Sequence, residues 1–429
     1  MKIRDGKEFD VIVAGAGPAG FCAAVQAARG GLNVGLFEHF AMPGGALTVL
    51  GSNSIDQFNN PHRPRGDRQV IAGIGWEFVQ ELARRGFARI PDMDAPYRVH
   101  WQYGVKVNPL AAAQCMDDFL LDAGVQLYYR QGIVDVETAQ TEAGGRIDAA
   151  IVSTKAGLTR FKAKLFIDCT GDGDLCAWAG AEYELGKELQ PGTLRLYPDR
   201  GAPDAAATER ADALWHEKLK ERPALGEMLL SGSFQAFLDA RGDNTNHVPG
   251  LDPTDSAQRS QAEIQARRDA AALMEALQES GSTASILASA PESAARESRR
   301  ILGDVYMTGE DYVNKRVYGD AVCYTYWFID MHRPEMPSQI VYLKDALTPT
   351  VSLGALRPRG LTNVFTAGRC VSSDRACNSA IRVKASCMAM GQAAGAAAVI
   401  ALQRGEGLTR CADAQAVRAY LRTQGAIVP

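Results

Sequence analysis

The chain has 429 residues, of which 46% are hydrophobic and 22% charged. This composition is typical of globular proteins and excludes a disordered, collagen-like or coiled-coil chain, and the length predicts two or three domains. Lysine and arginine number 46 against 50 for aspartate and glutamate, which gives a net charge of −4. Because the chain has no positive excess with which to neutralise phosphates, we expect no nucleic-acid partner.

The apolar pattern predicts a cytoplasmic protein, and the cysteines and histidines predict neither a disulfide framework nor a metal site. The nine cysteines are scattered and form no Cys-x-x-Cys pair, which argues against a disulfide framework and a zinc site. The six histidines form no His-x-x-x-His pair, so we expect no metal centre. We identify no apolar run of about 18 residues and no signal peptide at the start, so no membrane span is expected.

The chain begins with a pattern that predicts a strand, a glycine-rich turn, a helix and a second strand. The apolar run from Phe9 to Ala14 is typical of a central parallel strand, and the Ala-rich segment up to Arg29 predicts a helix. A second apolar run over residues 33–37 ends in Glu38. The glycine turn between the first strand and the helix consists of Gly15, Ala16, Gly17, Pro18, Ala19 and Gly20.

This order predicts a dinucleotide-binding unit, with the residues of the glycine turn as candidate cofactor ligands. Gly15 permits the tight turn, Gly17 lets the backbone approach a pyrophosphate, and Gly20 lets the helix and the strand pack closely. The helix that follows presents N–H groups and the positive end of its dipole to the phosphates. Glu38 lies about 20 residues beyond the turn, where a carboxylate accepts hydrogen bonds from the adenosine ribose.

Later segments predict further strands and helices. A helix over about 110–123 and strands over 125–129, 133–138, 147–154 and 158–163 precede a strand over 164–168. The segment from about 203 to 277 is polar and Ala-rich, which predicts surface helices. An aromatic strand from Cys323 to Ile329 and a small-residue helix from Ala385 to Leu402 follow.

Several motifs together resemble a known family. They are GAGPAG at 15–20, Glu38, MPGGALT at 42–48, IDCTGDGD at 167–174, ARESRRILGD at 295–304, Asp-Met-His at 330–332, TNVFTAGR at 362–369 and SAIRVKASCMAMGQAAG at 379–395. In this order they resemble the bacterial FAD-dependent oxidoreductases of the glutathione-reductase superfold. The nearest likeness is to the branch with a single dinucleotide-binding domain, distantly related to fumarate reductase flavoproteins. The resemblance runs from residue 9 to about 402, and residues 200–290 contribute nothing to it.

The resemblance implies that FAD is the cofactor and assigns residues to its parts. Gly44, Gly45 and Ala46 would lie against the ribityl chain and the pyrophosphate. Thr170 and Gly171 would face the adenosine. The resemblance therefore extends the candidate cofactor site well beyond the glycine turn.

The resemblance also assigns further residues to the cofactor site, in segments that lie later in the chain. Asp172 and Arg299 would help to shape the site, and Gly368 with Arg369 stands where many relatives have Gly-Asp. The chain lacks both a second GxGxxG unit for a nicotinamide nucleotide and a cysteine pair after Gly45. We therefore expect electrons to come from an organic substrate or from a partner protein.

The predicted fold is α/β. It comprises a Rossmann-like FAD-binding domain, built from a parallel sheet with a β-meander, over residues 1–186 and 351–429. A substrate or cap domain with a mixed sheet and helices occupies 187–350. The expected partner is a small-molecule substrate, and a redox partner protein or a second copy of the chain are open alternatives.

The expected reaction is transfer of a hydride from a C–H bond next to oxygen or nitrogen to N5 of non-covalently bound FAD. His332 is the candidate base, and Asp330 two residues earlier would orient its imidazole. Arg382 would pair with a substrate carboxylate or with the reduced flavin. The competing interpretations are a histidine satisfied in a structural turn and an arginine on the surface or near phosphate.

Three other functions remain open at this stage. A reductase of an activated double bond would use the same cofactor with an external electron donor. A structural or sensory flavin would make the protein a binding module. A flavin monooxygenase or halogenase is less favoured, because the Lys and Trp-x-Trp-x-x-Ile pattern typical of halogenases is absent near the first glycines.

Overall fold

The helices and strands are given by a computed structural model, which describes residues 3–221, 233–239, 246–332, 339–405 and 408–429. Helices α1–α11 are Pro18–Arg29, Ile74–Arg84, Pro109–Asp122, Asp174–Trp178, Ala205–Glu221, Phe234–Asp239, Ser256–Glu279, Gly309–Val313, Arg375–Ile381, Lys384–Arg404 and Ala414–Thr423. Strands β1–β20 are Arg4–Ala14, Val34–Glu38, Ser54–Ile55, Ala88–Arg89, Val105–Val107, Gln126–Tyr129, Ile133–Thr141, Gly144–Thr154, Gly157–Asp168, Tyr183–Glu184, Gly192–Thr193, Leu196–Asp199, His247–Val248, Ser285–Ser289, Arg300–Ile301, Ala321–Tyr324, Ile329–Met331, Gln339–Val341, Thr350–Ser352 and Val364–Thr366.

A seven-stranded sheet positions the glycine turn. Its strand order is β6-β2-β1-β9-β8-β7, with β20 beside β9. Strands β6, β2, β1, β9 and β20 are parallel, whereas β7, β8 and β9 form an antiparallel meander. Val11 and Val13 of β1 join one apolar core and Ile12 joins another, because alternate side chains point to opposite, covered faces. The predicted α/β fold with a parallel sheet and a β-meander is confirmed.

Strand β9 is longer than the sequence predicts. The prediction divided it into a meander strand over 158–163 and a sheet strand over 164–168, but it is one continuous strand. Strand β1 runs beside nearly its whole length, while β8 pairs with its first half and β20 with its last three residues. The meander and the parallel sheet therefore share one strand. Thr170 and Gly171 follow the end of this strand, beside the glycine turn.

Helix α10 packs directly on α1, the helix of the glycine turn. A Cβ added at Gly391 would lie 2.0 Å from the carbonyl oxygen of Ala19, and one at Gly395 would lie 2.5 Å from that of Ala23. Only glycine allows two helices to approach this closely. By length and composition α10 could cross a membrane, which the sequence analysis overlooked, but 89% of its apolar window is buried inside the protein.

The predicted aromatic strand over 323–329 is wrong, because it is two strands. Strand β16 pairs with β19 and strand β17 pairs with β18, and residues 325–328 between them belong to neither. The hydroxyl of Tyr312 donates to the carbonyl oxygen of Trp327 at 2.8 Å and accepts from its N–H at 3.0 Å. A side chain thus takes the place of a strand partner at Trp327, between the two strands.

A second apolar core lies away from the sheet. It gathers residues between 194 and 286, mainly from β12, β14, α5, α6 and α7. Met307, Tyr312 and Tyr326 of the following segment instead join the core around the sheet. The predicted domain bounds of 187 and 350 stay a prediction.

Candidate active site

The glycine turn has the geometry that a dinucleotide requires. Gly15 has a φ of +87°, and a Cβ there would lie 2.6 Å from the carbonyl oxygen of Cys169. A Cβ at Gly20 would lie 1.8 Å from the carbonyl oxygen of Gly15. At Gly17, in contrast, a Cβ would meet no atom of the described residues within 4 Å. Close packing therefore demands glycine at both ends of the turn, and open space lies at its centre.

The second glycine pair lies against the turn. The N–H of Gly44 donates to the carbonyl oxygen of Ala16 at 2.7 Å. Gly44 and Gly45 have φ values of +102° and +46°, and a Cβ at Gly45 would lie 3.4 Å from the Cα of Gly17. Ala46 follows within the short helical turn Gly45–Leu47. The two glycine loops thus form adjoining walls of one crevice.

Glu38 is buried at the end of β2, with its carboxylate on the glycine turn. One oxygen accepts from the N–H of Ala16 at 2.7 Å and the other from the N–H of Phe40 at 2.9 Å. Burial raises the pKa of Glu38, but hydrogen bonds from His39 and these two N–H groups bring it below its ordinary value. The carboxylate is therefore ionised. The oxygen that accepts from Phe40 also lies 2.9 Å from the Nδ1 of His39, whereas the oxygen that accepts from Ala16 keeps a second lone pair for a hydroxyl donor.

The side chain of Thr170 is engaged within its own turn. Its hydroxyl donates to Asp168 at 2.7 Å and accepts from the N–H of Asp174 at 3.1 Å. The carboxylate of Asp168, which is fully buried, also accepts from the N–H of Cys176 at 3.1 Å. Asp168 was not a candidate in the sequence analysis, yet it organises this turn, and Thr170 can offer a ligand mainly its backbone.

Arg369 and Asp172 form an ion pair beside the glycine turn. The Nη2 of Arg369 donates to the carboxylate of Asp172 at 2.9 Å, and its Nη1 is buried without a hydrogen-bond partner among the described residues. A Cβ at Gly171 would lie 2.7 Å from that guanidinium, and one at Gly368 would lie 3.4 Å from the Cβ of Ala19. The candidates that the resemblance adds in these two segments therefore lie beside the glycine turn, at the carboxyl end of the parallel strands.

Arg299 lies next to this group. Its Nη1 donates to the carboxylate of Asp174 at 2.8 Å and to the carbonyl oxygen of Asp172 at 3.2 Å. Burial, together with the nearby Asp172 and Asp168, raises the pKa of Asp174 to about 6, although Arg299 opposes the rise. Arg299 and Asp172 therefore lie next to each other beside the glycine turn, and their role in shaping the site stays a prediction.

The three candidates for catalysis also lie together. The Nε2 of His332 lies 3.2 Å from the carboxylate of Asp330. The Nη2 of Arg382 donates to the carbonyl oxygen of Asp330 at 3.3 Å. The side-chain oxygen of Gln190 accepts from the N–H of His332 at 3.1 Å and from Arg382 at 3.4 Å. Four groups from distant parts of the chain thus form one polar cluster, in which Gln190 is buried and the other three are partly buried.

His247 and Arg296 complete this polar cluster. The rings of His247 and His332 meet edge to face with their centroids 5.1 Å apart. Arg296 donates to the carbonyl oxygens of Pro191 and Gly192 at 2.5 and 2.9 Å. The sequence analysis missed Gln190, His247 and Arg296. Only Arg296 carried a signal, since it lies within the ARESRRILGD segment.

Burial tunes the ionisation of the polar cluster. It lowers the pKa of His332, as do the nearby Arg296 and Arg382, while Asp330 opposes the fall. Burial raises the pKa of Asp330, but His332 and the two arginines bring it below its ordinary value. Burial and Arg296 also lower the pKa of His247 to about 3. At neutral pH both imidazoles are uncharged and Asp330 is ionised.

Comparison with known proteins decides the family. A sequence model of the FAD-dependent oxidoreductases matches residues 10–421. The chain belongs to this family. No curated protein matches the sequence of this oxidoreductase.

Three solved structures resemble this oxidoreductase at low identity. THI4 from Thermovibrio ammonificans is 19% identical, with a TM-score of 0.29, over 41% of this chain and 64% of that one. A geranylgeranyl bacteriochlorophyll reductase-like protein from Thermoplasma acidophilum is 14% identical, with a TM-score of 0.41, over 97% and 83%. The anhydrotetracycline hydroxylase OxyS from Streptomyces rimosus is 17% identical, with a TM-score of 0.31, over 45% and 38%. This oxidoreductase thus spans less than two thirds of the first and third of these proteins.

FAD is the cofactor of this oxidoreductase, and the crevice at the glycine turn fits it. Within the described residues no side chain caps the N-terminus of α1, so its first N–H groups are available to a pyrophosphate. The buried, unpartnered Nη1 of Arg369 suits another anionic oxygen. The residues that would hold FAD are Gly15, Gly17, Pro18, Ala19, Gly20, Glu38, Gly44, Gly45, Ala46, Gly171, Gly368 and Arg369, with Thr170, Asp172 and Arg299 beside them.

Proposed function

We propose that this oxidoreductase is a dehydrogenase that oxidises a C–H bond next to an oxygen or nitrogen atom of a small organic molecule. The hydroxyl or amine proton of the substrate goes to His332, and the carbon loses a hydride. Bound FAD supplies the two-electron acceptor for that hydride. The observation that carries the proposal is the partly buried pair of His332 and Asp330, 3.2 Å apart.

The pair defines which nitrogen takes the proton. Asp330 is ionised and can only accept a hydrogen bond, so the Nε2 of His332 carries the ring proton. The lone pair of the neutral ring then lies on Nδ1, which is the atom that receives the substrate proton. The carboxylate of Asp330 fixes this tautomer and stabilises the imidazolium that forms.

The lowered pKa of His332 supports oxidation over reduction of a double bond. A histidine that is neutral at physiological pH is ready to accept a proton, whereas a reductase needs a group that holds one to give. Arg382 helps to fix the position of Asp330, because its guanidinium donates a hydrogen bond to the carbonyl oxygen of that residue. It also places a positive charge near the substrate.

Anaerobic reduction of the flavin tests the proposal. We expect that one or more members of a panel of alcohols, amines and hydroxy or amino acids bleach the visible absorbance of the bound flavin. Bleaching by NAD(P)H or a reduced redox protein alone would contradict the proposal and favour the reductase. Full reduction by a donor with no turnover of any artificial electron acceptor would favour a sensory flavin.

The cellular setting and the partners are also proposals. All nine cysteines are free thiols and eight of them are buried, which supports a reducing compartment such as the cytoplasm. A redox partner protein and a homo-oligomer stay open alternatives.

A further inference from the structure

Three aspartates lie close together in the turn that follows β9. Asp168 ends the strand, and Asp172 and Asp174 follow within the next six residues. Thr170 joins two of them, because its hydroxyl donates to the carboxylate of Asp168 at 2.7 Å and accepts from the N–H of Asp174 at 3.1 Å. Each negative charge in such a group disfavours the ionised form of the others.

Two arginines compensate these acids. Arg369 pairs with Asp172 at 2.9 Å. Arg299 donates to the carboxylate of Asp174 at 2.8 Å and to the carbonyl oxygen of Asp172 at 3.2 Å. The same guanidinium lies over the ring of Tyr183, with its carbon 5.5 Å from the ring centroid. Three carboxyl groups therefore face two guanidinium groups.

Uncharged side chains cover other sides of this turn. Ile133 of β7 shares an apolar core with Leu175, the residue that follows Asp174 in α4. The thiols of Cys176 and Cys370 are buried beside the turn, and burial keeps the pKa of each well above its ordinary value. They are therefore neutral and do not compensate the acids.

The pyrophosphate of FAD brings two more negative charges to this turn. A Cβ at Gly15 of the glycine turn would lie 3.1 Å from the Cα of Thr170, and one at Gly171 would lie 2.7 Å from the guanidinium of Arg369. Charges within about 8 Å of each other interact even at physiological ionic strength. The cofactor therefore enters a region in which acids already outnumber bases.

We infer that Asp174 takes up a proton when FAD binds. The proton comes from the solvent and bonds to a carboxylate oxygen, so that Arg299 is no longer neutralised and its charge acts on the phosphates. Asp168 suits this role less, because it is fully buried and accepts from two N–H groups and a hydroxyl. Asp172 keeps its ion pair with Arg369. The side chain of Asp174 is 29% exposed and can exchange a proton with solvent.

The affinity for FAD should therefore depend on pH. Burial and the neighbouring acids raise the pKa of Asp174 to about 6, and bound phosphates raise it further. The affinity should be constant below about pH 6, fall from there to the pKa of the FAD-bound form, and level off above it. We expect the dissociation constant to rise by about 10-fold between about pH 6 and pH 8. Fluorescence of the flavin that is released on dilution of the holoprotein gives this constant.

Calorimetry measures the proton itself. Titration of the apoprotein with FAD in two buffers of different ionisation enthalpy, at about pH 7.5, gives the number of protons taken up. We expect uptake in the wild type and a loss of most of it in Asp174→Asn. This variant should also bind FAD at pH 8 about as tightly as the wild type does at pH 6, because the amide is uncharged and still accepts from Arg299. A purely structural defect would weaken binding instead.

His39 and an exposed acid provide the controls. Burial lowers the pKa of His39, but the hydrogen bond to Glu38 brings it above its ordinary value, so this ring also titrates near neutrality. His39→Gln should keep most of the pH dependence, and Asp122→Asn, exposed at the end of α3, should match the wild type. Equal proton uptake in Asp174→Asn and the wild type would overturn the inference. So would an absence of uptake in the wild type, a result that stands even if the variant fails to fold.

Proton uptake of this kind concerns cofactor binding alone and does not depend on the proposed reaction. If no alcohol or amine reduces the flavin, the proposed function fails and the proton uptake stands. If a substrate reduces the flavin but FAD binds without a proton, the inference fails and the proposed function stands.

Discussion

His332 and Asp330 form a partly buried pair, with the Nε2 of His332 3.2 Å from the carboxylate of Asp330. The N–H of His332 is also held by the side chain of Gln190, and Arg382 binds the carbonyl oxygen of Asp330. Both the ring and its backbone are therefore fixed. A base held in this way can receive a proton with little rearrangement of the protein.

Replacement of the base should slow the chemistry without loss of cofactor. In His332→Gln we expect the rate of flavin reduction by substrate to fall by about 10²- to 10⁴-fold, because general-base catalysis is lost. FAD content should match that of the wild type, since no residue of the glycine turn changes. Rapid-mixing absorbance measurements give the rate. A His332→Gln protein that reduces its flavin at the wild-type rate would rule out His332 as the base.

The pH dependence of flavin reduction follows from the lowered pKa of His332. The protonated ring cannot accept a proton, so the rate should rise with pH, with its midpoint below the ordinary histidine pKa of about 6.5, and level off near neutrality. Asp330 opposes the lowering, and Asp330→Asn should therefore move the midpoint to still lower pH as well as reduce the plateau rate. A midpoint that moves upward in Asp330→Asn would contradict this assignment.

Glu297 is predicted to position the substrate site from a distance. Its fully buried carboxylate accepts from Arg300, from Arg375 and from the N–H of Gln190, at 3.1, 2.8 and 3.1 Å. Glu297→Gln should lower the free energy of unfolding by about 3 kcal/mol, because a buried ion pair loses its charge. It should also slow flavin reduction by substrate in the folded holoprotein, because Glu297 holds the backbone of Gln190, whose side chain holds the N–H of His332. The exposed Glu209→Gln is the control, measured by denaturant titration and rapid-mixing absorbance.

Glu38 is predicted to retain FAD through the glycine turn. Glu38→Ala removes the acceptor for the N–H groups of Ala16 and Phe40 as well as any contact to ribose. We expect the dissociation constant for FAD to rise by about 10- to 100-fold. Glu38→Gln keeps one acceptor oxygen and should lie between Ala and wild type. Equilibrium titration of the apoprotein with FAD gives these values, and equal affinity in all three proteins would refute this role.

The sequence alone is sufficient to predict those features of the fold that depend on residues close together in the chain. The glycine turn follows from steric demands within six residues, and helix α1 ends at Arg29, where the sequence predicts it. The bounds of β9 could not be predicted, because they depend on which strands pair with its two halves. The break after Tyr324 likewise depends on the hydroxyl of Tyr312, a contact that no local pattern contains.

Half of the residues of the polar cluster escaped the sequence for the same reason. His332 and Asp330 are two residues apart, so their pairing follows from a local pattern. Gln190 reaches His332 across 142 residues, and His247 reaches it only because β11 and β13 pair. Neither has a motif of its own. Their place beside His332 emerges only from the fold, which brings these distant segments together.

The central claim is that FAD lies in the crevice at Gly17, and one pair of alanine variants tests it most directly. A Cβ at Gly17 would contact no described atom within 4 Å, and the same holds at Gly319, far along the chain in a surface turn. Neither residue needs a positive φ, so both variants should fold with wild-type melting temperatures as apoproteins. Titration with FAD should show wild-type affinity in Gly319→Ala and a loss of at least about 10-fold in Gly17→Ala, because the added methyl group lies where the pyrophosphate must approach. Wild-type affinity for FAD in a folded Gly17→Ala protein would contradict the account.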